Sequence, residues 1–253
     1  MNWVVDIGNS AIKWAPVSEG GIGPSACSTW RESGLAETLD QEWSNIDAPE
    51  QINCVCVAGD EVEQEFRRWC QDVWQLEPQM AHSQENILGV SNAYIDAESL
   101  GTDRWLALIA AYQLYGQSPA CIIDCGTAMT IDAIAADGNH LGGLILPGLQ
   151  MMQSSLLAGT SVTLGDSEGE SSTLFARNTA DAVRGGALYA MVATIDRVYA
   201  DIDAELDEPV IRILCGGDAA SLLPLIKGPV EHRPDLVLEG LAMLQVVQKT
   251  EKL

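Results

Sequence analysis

The sequence predicts an α/β protein made of two copies of one unit, each a mixed sheet flanked by helices, with a cleft between the copies. Three observations predict it. Residues 3–14 form an apolar strand, a Gly-Asn turn and a second apolar strand, which is typical of a β-hairpin. The same order of residue types returns at residues 122–132. Alternating helix and strand patterns then follow each hairpin in a similar order.

Each predicted hairpin carries an Asp-x-Gly turn. Asp6 precedes Gly8 in the first, and Asp124 precedes Gly126 in the second. Small residues and free backbone N–H groups at such a turn can hold a phosphate. One such turn is typical of an ordinary hairpin, whereas two at matching places favour a function. We therefore expect one phosphate-binding turn in each half, and we expect the two turns to face each other.

The remaining elements of the first half follow from their patterns. A short strand is predicted near 26–30, helices at 35–43 and 61–69, and a strand buried on both faces at 52–58. After a loop-rich region, Gly101 opens a helix that Thr102 is expected to cap. The helix ends at residues 116–119, which we take as the boundary between domains 1–116 and 117–253.

The second half repeats this order after its hairpin. The patterns predict a glycine-bearing strand at 141–148, helices at 149–157, 180–199 and 236–248, a strand at 210–214, and a lid or surface loop at 165–172. Asn178 and Thr179 are expected to begin the long helix. A third glycine turn, residues 216–218, follows a predicted buried strand; it is either an ordinary strand-to-helix turn or a surface for adenine or ribose.

Composition excludes several classes of partner. The chain has 253 residues, 47% of them hydrophobic, and can therefore bury a real core. Its net charge of −23 should repel nucleic acid and anionic membranes. No apolar run reaches membrane-spanning length, the seven cysteines form no paired metal spacing, and Met1 runs straight into a strand. We expect a cytoplasmic protein with reduced thiols and no signal peptide.

Neither a Walker loop nor a G-x-G-x-x-G after a strand is present, so ATP would have to be held by the Asp-x-Gly hairpins. This set of motifs resembles the actin and sugar-kinase superfamily, whose halves are ribonuclease-H-like, and more narrowly type III pantothenate kinase. Ser10 stands where that family more usually has Thr, and residues 20–80 carry no matching motif. The segments that carry the resemblance, in the family's order, are 6–13, 101–104, 124–132, 142–148 and 178–179.

The resemblance implies ATP-dependent phosphorylation of pantothenate to 4′-phosphopantothenate, the first step of coenzyme A synthesis. It places Mg²⁺ near Asp6, a monovalent cation (K⁺ or NH₄⁺) on Asp124, and a phosphate contact at Thr127. The residues that it implies for ATP phosphates on the first turn are Asp6, Ile7, Gly8, Asn9, Ser10, Ala11, Ile12 and Lys13.

For pantothenate, the resemblance implies that Asp103 is the general base and that Arg104 pairs with the substrate carboxylate. Without the resemblance, the pair indicates only a negative charge in the first turn of a helix, followed by an arginine on the surface. The other pantothenate residues that it implies are Tyr94, Gly101, Thr102 and Thr179. Tyr94 taken alone reads as a surface loop aromatic, and Thr179 as a helix cap. The family is dimeric, so we expect a homodimer that uses the second half.

Two other functions stay open at this point. Relatives have been named as accessory regulators of transcription, so one alternative is a regulatory protein that keeps a nucleotide-binding fold. The other alternative is a superfamily kinase for another hydroxy acid or sugar. The tetrapeptide Gly101–Arg104 discriminates, because it belongs to the pantothenate site rather than to the shared nucleotide site.

Overall fold

A computed structural model describes residues 1–18, 20–116, 118–159, 175–206 and 208–250, with side chains up to Gln245. The predicted loop at 165–172 lies outside the described residues. The strands are β1 (Asn2–Ile7), β2 (Ala11–Ser18), β3 (Gly21–Ile22), β4 (Ala26–Thr29), β5 (Gln51–Cys56), β6 (Gln79–Met80), β7 (Asn86–Ile87), β8 (Val90–Ser91), β9 (Ala120–Cys125), β10 (Ala128–Ile134), β11 (His140–Pro147), β12 (Ile211–Cys215) and β13 (Glu231–His232). The helices are α1 (Leu35–Trp43), α2 (Asp60–Trp69), α3 (Thr102–Tyr115), α4 (Leu149–Ala158), α5 (Thr179–Glu205), α6 (Ala219–Leu222) and α7 (Leu236–Thr250).

The first sheet has the order β3-β2-β1-β5-β6, and β4 also pairs with β2. Strands β1 and β2 form the predicted hairpin, in which Asp6 lies opposite Lys13. Strand β5 runs parallel to β1 and is buried on both faces, as its apolar run predicts. The hairpin therefore holds its turn at the end of a buried strand.

The second sheet repeats this arrangement in the order β11-β10-β9-β12-β13. Strands β9 and β10 form the second hairpin, in which Asp124 lies opposite Thr130. Strand β12 runs parallel to β9 and brings Cys215 beside Asp124. Both sheets are thus mixed and share one plan, a hairpin whose first strand pairs in parallel with a later strand. The predicted duplicated α/β fold is confirmed.

The chain divides into two compact units, and their bounds differ from the predicted domains. The first unit contains residues 1–116, 138–140 and 235 onward, and the second contains 117–137 and 141–234. The closing helix α7, predicted for the second half, packs against α3 in the first unit. A side chain at Gly240 would collide with the Leu106 carbonyl oxygen, so this glycine permits the close helix packing.

An aromatic cluster fills the core of the first unit. The fully buried Trp43 stacks on Trp74, with ring centroids 5.2 Å apart and planes 14° apart. Four further rings meet Trp43 edge to face: Trp3, Trp14, Phe66 and Trp69. Edge contacts suit the quadrupoles of aromatic rings. All seven tryptophans of the chain lie between residues 3 and 105, within the first unit.

The core of the second unit lies between its sheet and α5. Met191, Ile195 and Tyr199 of α5 are buried together with Ile123 of β9 and Leu214 of β12. The helix runs past its predicted end to Glu205, and Asn178 caps its start by accepting a hydrogen bond from the Asp181 N–H at 2.9 Å. No helix among the described residues is long and apolar enough to cross a membrane.

Candidate active site

The first Asp-x-Gly turn is closed by a backbone hydrogen bond from Gly8 to the Ala11 carbonyl at 3.0 Å. A residue from outside the hairpin also holds it. The Trp30 indole N–H donates to the Gly8 carbonyl at 3.0 Å, and its backbone N–H donates to the Ser10 carbonyl at 3.2 Å. Arg31 Nη1 donates to Ser10 Oγ at 3.5 Å. Sequence reasoning missed Trp30 and Arg31, because their contact with the turn depends on the pairing of β4 with β2.

Lys13 brings a cation to the same hairpin. Its ammonium lies 3.6 Å from Asp235 Oδ1, just before α7, and its pairing partner on β1 is Asp6. Cys27 lies opposite Lys13 on β4, and burial raises the pKa of its thiol, while Lys13 lowers it. No local pattern predicted Asp235, which is distant in the chain and reaches the hairpin through the packing of α7 in the first unit.

The second Asp-x-Gly turn holds Asp124 against neighbouring backbone. Cys215 Sγ donates to Asp124 Oδ2 at 3.3 Å. Gly216 has a φ of +89°, and a Cβ there would lie 2.6 Å from Asp124 Oδ1 and 2.5 Å from the Cys125 backbone. Only a glycine therefore fits beside this carboxylate, which gives the third glycine turn a structural purpose.

Thr127 lies in the same turn, and its carbonyl accepts a hydrogen bond from the Gly148 N–H at 3.1 Å, at the start of α4. On the other side, the Asp218 N–H donates to the Cys125 carbonyl at 2.9 Å. Burial raises the pKa of the Asp218 carboxyl. The glycine-bearing segments at 148 and 216–218 thus fix the turn that carries Asp124 and Thr127.

The helix start at residues 101–104 lies in the first unit. Asp103 is in the first turn of α3, and its Oδ1 accepts a hydrogen bond from the Arg104 N–H at 2.8 Å. The prediction that Thr102 caps the helix is wrong, because Gly101 occupies the cap position and Thr102 is the first helical residue. The Thr102 hydroxyl instead lies 3.5 Å from Ser83 Oγ, which donates to it.

Arg104 is not a surface arginine, since only 6% of it is exposed. Its Nη1 donates to the Tyr94 hydroxyl at 2.8 Å, and its guanidinium carbon lies 5.6 Å from the centroid of the Tyr94 ring. The ring of Tyr94 stacks on the buried His140, with centroids 6.1 Å apart. The structure thus brings together three predicted pantothenate residues, Tyr94, Asp103 and Arg104, and adds His140 behind them.

Thr179 is the first residue of α5 in the second unit, where Asn178 makes the capping hydrogen bond. Thr179 was also predicted as a possible helix cap, but Asn178 takes that position. Thr179 is an exposed residue of that unit.

The side chains that could act as metal ligands decide which cations the chain can hold. Among the described residues, no group of three His, Cys, Asp or Glu side chains is placed to bind a metal ion. Mg²⁺ is commonly held by one or two carboxylates together with substrate phosphates, and Asp6 fits that pattern. Asp124, a carboxylate set among backbone groups, offers the oxygen ligands that a hard monovalent cation accepts.

Comparison with known proteins identifies the family. A family model of type III pantothenate kinase matches residues 2–201. A type III pantothenate kinase from Nitrosococcus oceani is 40% identical over 253 aligned residues, covering 98% of this chain and 94% of that protein. Another, from Alcanivorax borkumensis, is 34% identical and covers 97% and 98% of the two chains.

Solved structures add the fold. A conserved protein of the Baf family of transcriptional activators, from Campylobacter jejuni, aligns with a TM-score of 0.57 at 19% identity, over 99% of this chain and all of that one. An activator of a 2-hydroxyisocaproyl-CoA dehydratase from Clostridium difficile, with bound ADPNP, aligns with a TM-score of 0.52 at 11% identity, over 100% and 97%. These two solved structures share the fold of this chain. With the family model and these relatives spanning most of its length, the chain belongs to the type III pantothenate kinase family.

Proposed function

We propose that the chain transfers the γ-phosphoryl group of ATP to pantothenate, giving ADP and 4′-phosphopantothenate, the first step of coenzyme A synthesis. The observation that carries the proposal is the cluster of Asp103, Arg104 and Tyr94 at the start of α3. A buried arginine beside a carboxylate and a phenol suits a small hydroxy acid, because the guanidinium binds a carboxylate and Asp103 accepts a proton.

Asp103 is the general base of this proposal. It takes the proton of the primary hydroxyl as that oxygen bonds to the γ-phosphorus, while the bond from phosphorus to the bridging oxygen of ADP breaks. A carboxylate suffices because the transition state of phosphoryl transfer is loose and the proton leaves late. The fixed first turn of α3, with Asp103 bonded to the Arg104 N–H, orients the carboxylate.

The nucleotide phosphates bind the two Asp-x-Gly turns. Backbone N–H groups and Lys13 of the segment Asp6–Lys13 donate to them, Thr127 contacts phosphate, and Asp6 acts through Mg²⁺. Asp124 holds K⁺ or NH₄⁺, a charge that reduces the repulsion between a carboxylate and phosphate. This proposal is supported by the matching positions of Asp6 and Asp124. Each lies on the first strand of a hairpin, opposite a residue of the second strand.

Pantothenate binds at Tyr94, Gly101, Thr102, Arg104 and Thr179 in this proposal. The Arg104 side chain is buried and already ordered by Tyr94, so little conformational entropy is lost when it pairs with the substrate carboxylate. Such a planar fork favours a bidentate carboxylate over a neutral group.

We also propose a homodimer formed through the second unit. The buried Met191 and Ile195 of α5 are core side chains, so the interface must use other apolar residues. Exposed ones lie on the edge strand β11, on α4 and on α5: Leu144, Ile145, Met151, Leu156 and Tyr189. An interface would cover such side chains, and their presence on three elements of the second unit supports the proposal. Sedimentation at micromolar concentration should give twice the chain mass of 27.1 kDa, and a monomer would refute the dimer.

The function is tested by ADP release from ATP and pantothenate, measured with and without K⁺ and with mass analysis of the product. We expect ADP and phosphopantothenate in equal amounts and a faster rate with K⁺. Release of ADP without a phosphorylated product, or phosphorylation of a sugar but not of pantothenate, would overturn the proposal.

A further inference from the structure

We infer that Arg31, which directly follows the turn-bound Trp30, is a second cation of the first Asp-x-Gly turn and binds the polyphosphate of the nucleotide. The inference rests on the proposed use of that turn for ATP. It concerns a residue in the segment 20–80, for which the sequence offered no functional motif.

Strand pairing brings Trp30 to the turn. Strand β4 pairs with β2 so that Thr29 lies opposite Ala11. The next residue, Trp30, therefore reaches Ser10, to whose carbonyl its N–H donates, and its indole reaches the carbonyl of Gly8. Trp30 is partly buried and packs against the hydrophobic core of the first unit. Two carbonyls of the turn are thus fixed by one residue that is itself anchored in the core.

Arg31 follows directly and lies over the turn. Its Nη1 is 3.5 Å from Ser10 Oγ, a weak contact that a stronger acceptor can displace. The side chain is exposed. Within the described part of the chain, no carboxylate lies within ion-pair distance of Arg31. Lys13, the other cation of the hairpin, lies 3.6 Å from Asp235.

Charge explains why a second cation is needed. The chain has a net charge of −23 and only 13 lysines and arginines. A polyphosphate approaching it is repelled unless local cations offset that field. Lys13 shares its charge with Asp235, whereas Arg31 brings a guanidinium that can bond two phosphate oxygens at once. The ligand class is therefore the phosphate chain of a nucleoside triphosphate rather than its base.

The test is titration calorimetry of the full chain with Mg²⁺ and ATP or AMP, in the absence of pantothenate. We expect Arg31→Ala to weaken ATP binding about tenfold or more, the effect of losing a hydrogen-bonded charge, and to leave AMP binding unchanged. Arg31→Lys should fall between. The matched control is Arg68→Ala, which removes the same charge from an exposed site on α2 and should leave both affinities within about twofold.

Binding of ATP by Arg31→Ala within about twofold of the unmodified chain would overturn the inference, as would an equal loss for AMP. If Arg31→Ala does not fold, Arg31→Gln is compared in the same way. Because pantothenate is left out, these results are separate from the proposed reaction. An inactive chain whose ATP binding needs Arg31 would refute only the reaction, and an active chain indifferent to Arg31 would refute only this inference.

Trp30 is tested as a positioning residue. Trp30→Phe keeps a ring in the core and removes the indole N–H that holds Gly8. We expect a several-fold higher KM for ATP, an unchanged KM for pantothenate, and a melting temperature lowered by less than about 4 °C. Equal changes in both KM values would show a general structural role and contradict the assignment.

Discussion

Arg104 and Tyr94 form one unit, since Nη1 of the buried guanidinium donates to the Tyr94 hydroxyl at 2.8 Å while the guanidinium carbon lies 5.6 Å from the ring centroid. The ring of His140 stacks on the Tyr94 ring and is itself buried. A strand pairing of Ser91 with Asn139 holds the segment that carries His140 beside the segment that leads to Tyr94. The arginine is therefore ordered before any substrate arrives.

Replacing Arg104 by Lys should raise the KM for pantothenate at least tenfold and change the KM for ATP little. Lysine keeps the charge but loses the planar fork and its contact with the Tyr94 ring. Initial rates with each substrate varied in turn measure both constants. Arg68→Lys, on the exposed face of α2, is the control. Equal KM values for the Arg104 variant and the unmodified chain would remove Arg104 from the substrate site.

Asp103→Asn should lower kcat by a factor of about 10² to 10⁴, the usual contribution of a general base, and leave binding of ATP and pantothenate intact. The amide is close in shape to the carboxylate and can still accept from the Arg104 N–H, so the helix start should persist. Stopped assays and calorimetry separate the two effects. The exposed Asp96→Asn serves as the control. Near-normal turnover would end the assignment of Asp103 as the base.

Gly216→Ala should destabilise the second unit by about 1–3 kcal/mol or more, because a Cβ at a φ of +89° is strained and would also lie 2.5 Å from the Cys125 backbone. Gly217→Ala is the matched control, since nothing lies within 4 Å of a Cβ there and its φ is ordinary. Urea unfolding of both variants gives the two free energies. A Gly216 variant as stable as the Gly217 variant would show that the turn relaxes freely.

Thiol reactivity should follow burial and pH. Burial raises the pKa of Cys70, Cys121 and Cys125 to about 12, so at pH 8 these thiols should resist iodoacetamide in the native chain. Cys27 is exposed and should react, though more slowly than a free thiol, because its pKa is raised as well. A raised pKa leaves less thiolate at a given pH, so the rate at Cys27 should increase from pH 7 to 9. Peptide mass mapping after timed alkylation would contradict this if Cys121 were modified before Cys27.

Local patterns predicted the two hairpins well, because the strand alternation and the turn residues lie within a dozen positions. Asp6 opposite Lys13 is a consequence of that local register. The Thr102 cap was wrong for a local reason too, since the helix begins one residue earlier than the predicted cap implies and Gly101 takes the cap position.

Contacts between distant segments could not be predicted in this way. Trp30 reaches the first turn only through the pairing of β4 with β2, and Asp235 reaches Lys13 only because α7 packs in the first unit. Nothing in the residue types around positions 30 and 235 indicates those partners. The roles of Thr127, Asp124 and Thr179 in binding stay predictions that ligand-bound measurements can test.

The placement of every tryptophan in the first unit makes the two units optically distinct. Indole fluorescence, excited where tyrosine does not absorb, reports the first unit alone, while circular dichroism reports both. If the second unit melts at a different temperature, the two signals will give different midpoints, and the unfolding of each unit becomes measurable without a label. The same emission includes that of Trp30, which is bonded to the first turn, and therefore offers a direct titration signal for nucleotides.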